Sequence, residues 1–170
     1  QVDNGILLLG VADALPLATA LRLGTRATAA TLDLNGFDQT IGSLVSQTNS
    51  ASLTNTLIID TGNTLTVNGA VTIGANVAAG ATTLFTATGG GDFVNNNTGG
   101  TFQIGGGTGA TNTNAVTADF SALQNFTVDL GPTGTFRVGD ANSNTSGSPA
   151  SSSTLILAST SASITAGTIN

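Results

Sequence analysis

The chain has 170 residues, enough for one domain with a substantial core, and only 7% of them are charged. Its formal net charge of −6, with three arginines and no lysine, argues against nucleic acid or an anionic membrane as a partner. It has no cysteine or histidine, which excludes disulfides, thiolate metal sites and the Ser-His-Asp and Cys-His classes of catalysis. No apolar run approaches the roughly 18 residues of a membrane-spanning helix.

The remaining composition favours strands and turns. Glycine supplies 23 residues, and threonine, valine and isoleucine, which prefer strands, are frequent. Asparagine, aspartate and serine, which prefer turns, fill much of the rest, while the helix formers lysine, glutamate and methionine are absent. The composition predicts an all-β protein.

Short apolar or alternating runs predict strands along the whole chain. In chain order they lie at residues 6–9, 19–23, 31–34, 40–45, 53–60, 65–67, 71–73, 83–87, 93–94, 102–104, 126–130, 136–138, 155–157 and 163–165. Most are shorter than the five to six residues of an average strand, which favours a solenoid over a sandwich. A β-sandwich or jelly roll is the alternative.

One local signature recurs: an apolar residue, any residue, an apolar residue and then glycine. The glycines that end it are Gly10, Gly24, Gly74, Gly105, Gly131 and Gly139. Its two apolar residues share one face of a strand, and the glycine permits a positive φ at the corner that follows. We therefore predict a three-sided parallel β-solenoid with about 20 to 25 residues per coil, about seven coils and a height of about 35 Å.

A six-residue unit occurs twice. Residues 31–36 read Thr-Leu-Asp-Leu-Asn-Gly, and residues 64–69 read Thr-Leu-Thr-Val-Asn-Gly, 33 positions later. A repeated strand and turn indicates that successive coils lie on one another.

Five segments follow one another in a specific order over the first 45 residues. They are Asn4-Gly-Ile-Leu-Leu-Leu-Gly10, Ala14-Leu-Pro16, Thr19-Ala-Leu-Arg-Leu-Gly24, Thr31-Leu-Asp-Leu-Asn-Gly-Phe37 and Gln39-Thr-Ile-Gly-Ser-Leu44. This order resembles the autotransporter-associated β-strand repeat. The resemblance implies a right-handed parallel β-helix on the bacterial cell surface, usually within very large exported proteins, and it supplies no shared catalytic residues. We expect one solenoid domain over residues 1–170, either a mature form or an excerpt of a longer stacked array.

Two acidic residues are candidate catalytic groups. Asp33 and Asp38 flank one predicted corner, with Arg22 and Arg26 nearby in sequence, and some β-helical enzymes that cleave polysaccharides use such residues. Aspartates at a corner are also what a turn recruits for its backbone hydrogen bonds. The turn interpretation is favoured, and we do not expect an enzyme.

Asp140, Asn142 and Asn144 place oxygen ligands at alternate positions, as a calcium-binding loop does. The glycine and glutamate that such a loop needs at its sixth and twelfth positions are Thr145 and Ser151 here. A plain turn is therefore the simpler interpretation, and no other cofactor is expected.

Threonines two residues apart suggest a third function, ice binding by hydroxyl pairs stacked on one flat face. The pairs are Thr54/Thr56, Thr64/Thr66, Thr86/Thr88, Thr111/Thr113 and Thr133/Thr135. Threonine is abundant throughout the chain, which weakens this hypothesis.

Both ends of the sequence carry apolar strands without a recognisable cap, although natural solenoids usually blunt their ends. The residues are Ile6, Leu7, Leu8 and Leu9 at the first end and Leu155, Leu157, Ile164 and Ile169 at the other. The hypothesis is that the last coil of one copy stacks on the first coil of the next, which makes a second copy the partner. The predicted function is that of an extracellular structural filament or sheath on a bacterial surface. The alternative is a monomeric surface adhesin or glycan-binding module.

Overall fold

Short strands account for most of the structure, a computed structural model that describes residues 1–74, 81–105, 115–139 and 152–170. The strands are β1 (Gly5–Leu8), β2 (Ala20–Leu23), β3 (Ala30–Asp33), β4 (Gln39–Ile41), β5 (Ser43–Ser46), β6 (Thr54–Ile58), β7 (Thr64–Val67), β8 (Val71–Ile73), β9 (Thr82–Thr88), β10 (Asp92–Asn96), β11 (Thr101–Ile104), β12 (Ala115–Asp119), β13 (Asn125–Asp129), β14 (Thr135–Val138), β15 (Ser152–Ile156), β16 (Ser161–Thr165) and β17 (Thr168–Ile169). A single 3-10 turn, Gly131–Thr133, is the helical element of the described residues.

The strands form three parallel sheets around a common core. Sheet 1 has the order β1-β3-β6-β9-β12-β15, sheet 2 the order β4-β7-β10-β13-β16, and sheet 3 the order β2-β5-β8-β11-β14-β17. From β3 onward the chain visits sheets 1, 2 and 3 in turn, so each strand pairs with the third strand after it. The first coil has strands in sheets 1 and 3 alone, so β1 pairs with β3. The paired strands are all parallel. The predicted all-β solenoid is confirmed, and the sandwich alternative is wrong.

The coils are fewer and longer than the sequence suggested. Sheets 1 and 3 each hold six strands, which corresponds to six coils among the described residues instead of seven. The coils also lengthen along the chain, since Gly5 lies beside Ala30 in the first one, whereas Ala115 lies beside the more distant Ser152 near the other end. With about 4.8 Å between neighbouring strands, the six coils span about 24 Å.

One corner accounts for much of this lengthening. In the connection from sheet 3 to sheet 1, residues 24–29 separate β2 from β3, whereas residues 139–151 separate β14 from β15. Four glycines with positive φ open the connections there, and they belong to the signature recognised in the sequence: Gly24, Gly74, Gly105 and Gly139. Four of the six occurrences of the signature therefore mark strands of sheet 3, where a left-handed residue turns the chain out of the sheet. The other two end at Gly10, after β1 of sheet 1, and at Gly131, after β13 of sheet 2.

The core changes its composition along the stack. Residues at matching positions of neighbouring strands form a column across each sheet. One column of sheet 3 that faces the core consists of Leu21, Leu44, Val71, Phe102, Phe136 and Ile169. The rings of Phe85, Phe93, Phe102, Phe120, Phe126 and Phe136 form one continuous network in the fourth and fifth coils. Aliphatic side chains fill the first three coils instead.

The two copies of the six-residue unit do not lie on one another. Thr31 belongs to β3 in sheet 1 and lies beside Thr56, while Thr64 belongs to β7 in sheet 2 and lies beside Asp92. The prediction that successive coils lie on one another is confirmed, but the two copies of the unit are not stacked equivalents. The same short pattern of strand and Asn-Gly turn serves two different sides of the coil.

Residues 40–45, predicted as one strand, are two. Gly42 separates β4 in sheet 2 from β5 in sheet 3, and its amide donates to the carbonyl of Thr19 in the coil below. A Cβ at this position would approach the backbone of Ala18 to 3.0 Å. A side chain at residue 42 would therefore require the Ala18 backbone to shift by a few tenths of an ångström.

A buried asparagine connects three segments at the corner between sheets 3 and 1. Asn55 accepts a hydrogen bond from the Ala30 amide at 2.9 Å and donates to Leu23 O at 3.0 Å. It also donates to Ser46 Oγ at 2.9 Å and to Gln47 O at 3.2 Å. The side chain thereby gives the buried Ala30 amide its acceptor, and it adds a second donor to Leu23 O, which also accepts from the Gln47 amide at 3.2 Å.

Candidate self-assembly surface

Exposed apolar side chains concentrate at the two ends of the solenoid. Of the described residues, seven large hydrophobic ones are exposed, and all of them belong to the first or the last coil: Ile6, Leu8, Val11, Leu17, Ile156, Leu157 and Ile169. Ile6 is 69% exposed and Ile169 is 64% exposed. The described parts of the intermediate coils expose none. Apolar surface that is confined to particular places on a protein marks interaction sites.

The outward column of sheet 1 shows that this distribution reflects residue choice as well as position. The column consists of Ile6, Thr31, Thr56, Thr86, Asp119 and Ile156. Each member occupies the same place on its strand, yet only the first and last are hydrophobic. The four members between them carry hydroxyl or carboxylate groups, which suit a surface in contact with water.

Both outer strands of sheet 1 present an unpaired backbone edge. Within the described residues, β1 pairs with β3 alone and β15 pairs with β12 alone. The outer side of each strand therefore offers amide and carbonyl groups to a further parallel strand. Exposed apolar side chains accompany a free edge at both ends.

Sheet 2 is covered at the N-terminal end, contrary to the expectation of an uncapped end. Residues 9–19 cross β4 where a strand of the first coil would lie, and the Asp13 amide donates to Asp38 O at 3.0 Å. The buried amide of Gln39 completes the cover, because it accepts from the Leu15 amide at 2.9 Å and donates to Leu15 O at 3.0 Å. The open part of this end is thus centred on β1.

The predicted end residues differ in their accessibility. Four of them are exposed, namely Ile6, Leu8, Leu157 and Ile169. Three are half-buried against the core, namely Leu7, Leu155 and Ile164. Leu9 is only 3% exposed, so it belongs to the core and not to the open end.

Three further exposed residues were not among the predicted end residues: Val11, Leu17 and Ile156. The uninterrupted apolar run 155–157 could have indicated Ile156, because such a run places apolar side chains on both faces of a strand.

The open ends are poor in charge. The last coil, residues 152–170, contains no charged residue, and neither does the segment from Asn4 to Ala12. Contact between these two regions would bury no unpaired ion, which removes a major penalty to association.

Asp33 and Asp38 have local structural roles at the corner between sheets 1 and 2. Asp33 Oδ1 accepts from the Asn35 amide at 2.8 Å, and Asp38 Oδ1 accepts from the Thr64 amide of the next coil at 2.8 Å. Arg22 lies on β2 in sheet 3, a different side of the solenoid. The structure therefore does not assemble these residues into one site.

The other candidate sites are not formed as the sequence suggested, or cannot be located. Two of the threonine pairs, Thr54/Thr56 and Thr86/Thr88, lie on sheet 1. They are offset along their strands, because Thr54 lies beside Leu84 and not beside a threonine. A third pair, Thr64/Thr66, lies on sheet 2. Asp140, Asn142 and Asn144 lie outside the described residues, as do Thr111 and Thr113. Across the described ranges, no three acidic side chains gather as a metal site would require. Those ranges also contain no helix with the length and hydrophobicity to span a bilayer.

No protein-family model, curated protein or solved structure matches the chain. The resemblance to the autotransporter-associated repeat therefore stays a prediction.

Proposed function

We propose that this protein is a structural β-solenoid unit whose last coil stacks on the first coil of a second copy. The observation that carries the proposal is the column of sheet 1 that is hydrophobic only at Ile6 and Ile156, its two ends. A sheet edge with unpaired backbone groups accompanies each of these side chains. Joining the ends would remove both the apolar surface and the free edges from water.

Continuing the register of sheet 1 defines the junction. Successive strands keep their columns aligned, so β15 of one copy would pair in parallel with β1 of the next, about 4.8 Å away. Ile156 would then lie beside Ile6, and Leu157 beside the half-buried Leu7. Each fully buried side chain of this size contributes about 1.5 to 3 kcal/mol, which offsets the entropy lost on association.

This junction joins two different surfaces and therefore does not close on itself. The pair keeps one free N-terminal end and one free C-terminal end after the contact has formed, so growth continues into a filament. The segment that covers β4 would interrupt sheet 2 at every junction, since it occupies the place of a strand. Sheet 1 would carry the contact, because Val2 already pairs in parallel with Leu23 at the N-terminal edge of sheet 3.

The proposed setting is the outside of a bacterial cell. It is supported by the composition, which is rich in threonine, asparagine, glycine and serine and lacks cysteine, and by the resemblance of the first 45 residues. In this setting the filament would form a surface fibre or sheath.

An end variant and an outward-facing control test the junction. We expect the purified chain to form filaments by negative-stain microscopy and light scattering. Leu7→Asp should abolish them, because residue 7 faces the core side of sheet 1 and its charge would be buried against Leu157 in the junction. Thr31→Asp, on the outward face of sheet 1 one coil further in, should leave filaments intact. Both variants should retain the β-sheet circular dichroism signal.

Mixing two blocked chains tests the polarity of the contact. Leu7→Asp leaves the C-terminal end intact and Leu157→Asp leaves the N-terminal end intact, so their mixture should form dimers and nothing longer. Because residues 152–170 carry no charge, filaments should also persist between about 0.05 and 1 M salt. Uniform monomers of the unaltered chain at high concentration would refute the proposal and favour the monomeric adhesin alternative.

A further inference from the structure

Three Asn-Gly pairs occur in the described residues, at Asn4-Gly5, Asn35-Gly36 and Asn68-Gly69. Asparagine before glycine can lose ammonia when the glycine amide nitrogen attacks the asparagine side-chain carbon, since no glycine side chain hinders the approach. All three asparagines are exposed. Exposure alone therefore does not distinguish the three sites. Any difference in their rates must come from local hydrogen bonding and packing.

At the first pair, the two reacting groups are already in contact. The Gly5 amide donates to Oδ1 of Asn4 at 2.9 Å, which holds the nucleophilic nitrogen beside the side-chain carbonyl that it would attack. Gly5 has a φ of +88° and is exposed, and a Cβ added there would meet no atom within 4 Å. The site thus has room for the backbone to rotate into a five-membered ring.

At the second pair, both reacting groups are engaged elsewhere. The Gly36 amide donates to the Asp60 carboxylate at 2.7 Å, and the Asn35 side-chain amide donates to Leu9 O at 2.9 Å. The carboxylate disfavours the loss of the amide proton that must precede attack. Ring closure would have to break both bonds.

At the third pair, the backbone is held on both sides. The Asn68 amide donates to Ile41 O at 2.9 Å, and Gly69 O accepts from the buried Asn95 side chain at 2.8 Å. A Cβ on Gly69 would lie 2.2 Å from Gly42 O, which shows how closely the backbone packs there. Rotation into a ring is obstructed.

We propose that Asn4 is a site of spontaneous deamidation in the folded protein and that the fold protects Asn35 and Asn68. The Gly5 nitrogen loses its proton to hydroxide and bonds to Cγ of Asn4, and the C–N bond to the side-chain nitrogen breaks, releasing ammonia. Water then opens the cyclic imide at either carbonyl and leaves an aspartate or an isoaspartate at position 4. No oxidant or cofactor takes part.

The modification would place a carboxylate immediately before β1. The isoaspartate form also adds one backbone carbon at the entry to this strand. Both products alter an end of the solenoid that carries no charge between Asn4 and Ala12.

The test is incubation of the folded chain at mildly alkaline pH, followed by peptide mass spectrometry for the exchange of an amide –NH2 for –OH. We expect conversion at Asn4 to be at least about tenfold faster than at Asn35 or Asn68, since those sites must first break hydrogen bonds. In urea the three rates should converge. Equal rates in the folded chain, or faster conversion at Asn35 or Asn68, would overturn the proposal.

Two variants separate the roles of the residues. Asp60→Ala frees the Gly36 amide, so it should accelerate conversion at Asn35 severalfold and leave the rate at Asn4 unchanged. Asn4→Gln should remove the modification at position 4, because its longer side chain forms the corresponding ring less readily. An unchanged rate at Asn35 in the folded Asp60→Ala chain would refute the protective role of the carboxylate. Neither outcome depends on filament formation.

Discussion

Replacing Phe126 with alanine should lower the free energy of unfolding by about 3 to 5 kcal/mol. The side chain is fully buried, and its ring lies 5.7 Å from Phe93 in a stacked arrangement and 4.7 Å from Phe120. The substitution removes apolar burial and leaves a cavity, and it also removes aromatic contacts worth about 0.5 to 1.5 kcal/mol each. Equilibrium unfolding in urea measures the loss.

Phe37→Ala is the matched control for this prediction. Phe37 is half-buried and contributes to none of the ring pairs among the described residues, so its loss should cost less than half as much. Equal losses at the two positions would show that the aromatic network contributes little beyond ordinary burial.

Replacing Asn55 with leucine should cost about 4 kcal/mol, although the two side chains have similar volumes. Leucine cannot accept from the Ala30 amide, nor donate to Ser46 Oγ and Gln47 O, while Leu23 O keeps the Gln47 amide as a donor. These groups are buried, and each one left unpaired costs about 1 to 3 kcal/mol. Hydrogen exchange provides a local measurement, because the Ala30 amide loses its acceptor and should exchange faster.

Asn96→Leu tests whether the loss of stability expected for Asn55→Leu is due to the burial of Asn55. Asn96 is exposed at the end of β10, so the same change should alter stability by about 0.5 kcal/mol or less. A nearly neutral Asn55→Leu would mean that water or a local rearrangement satisfies the corner.

The parts of the fold that the sequence predicted are those encoded by local chemistry. Positive φ at a corner favours glycine, so Gly24, Gly74 and Gly105 could be recognised as strand ends without any structure. Alternation of apolar and polar residues likewise revealed most strands, because it follows from the pleat. Of the candidate surface, the apolar character of Ile6 and Leu8 was readable for the same reason.

The parts of the fold that the sequence did not predict depend on contacts between residues that lie far apart in the chain. β12 has the sequence Ala-Val-Thr-Ala-Asp, a weak strand signal on its own, and it is held by pairing with β9 and β15 on its two sides. The cover over sheet 2 requires Gln39 to meet Leu15 in a distant part of the sequence. Coil length is also set by loops whose size no periodicity specifies, so the six-residue repeat correctly indicated stacked coils but not their length.

The arrangement of nearest neighbours also determines how the protein would respond to force. Each strand contacts mainly the strands directly above and below it, so tension applied at the C-terminal end would detach coils one after another. The coil that runs from Gly5 to Ala30 is shorter than the one that runs from Ala115 to Ser152. With each residue extending by about 3.3 to 3.6 Å, one detachment would release about 80 to 130 Å of chain. The steps would shorten as peeling approaches the N-terminal end, so the length of a step would report which coil had just opened.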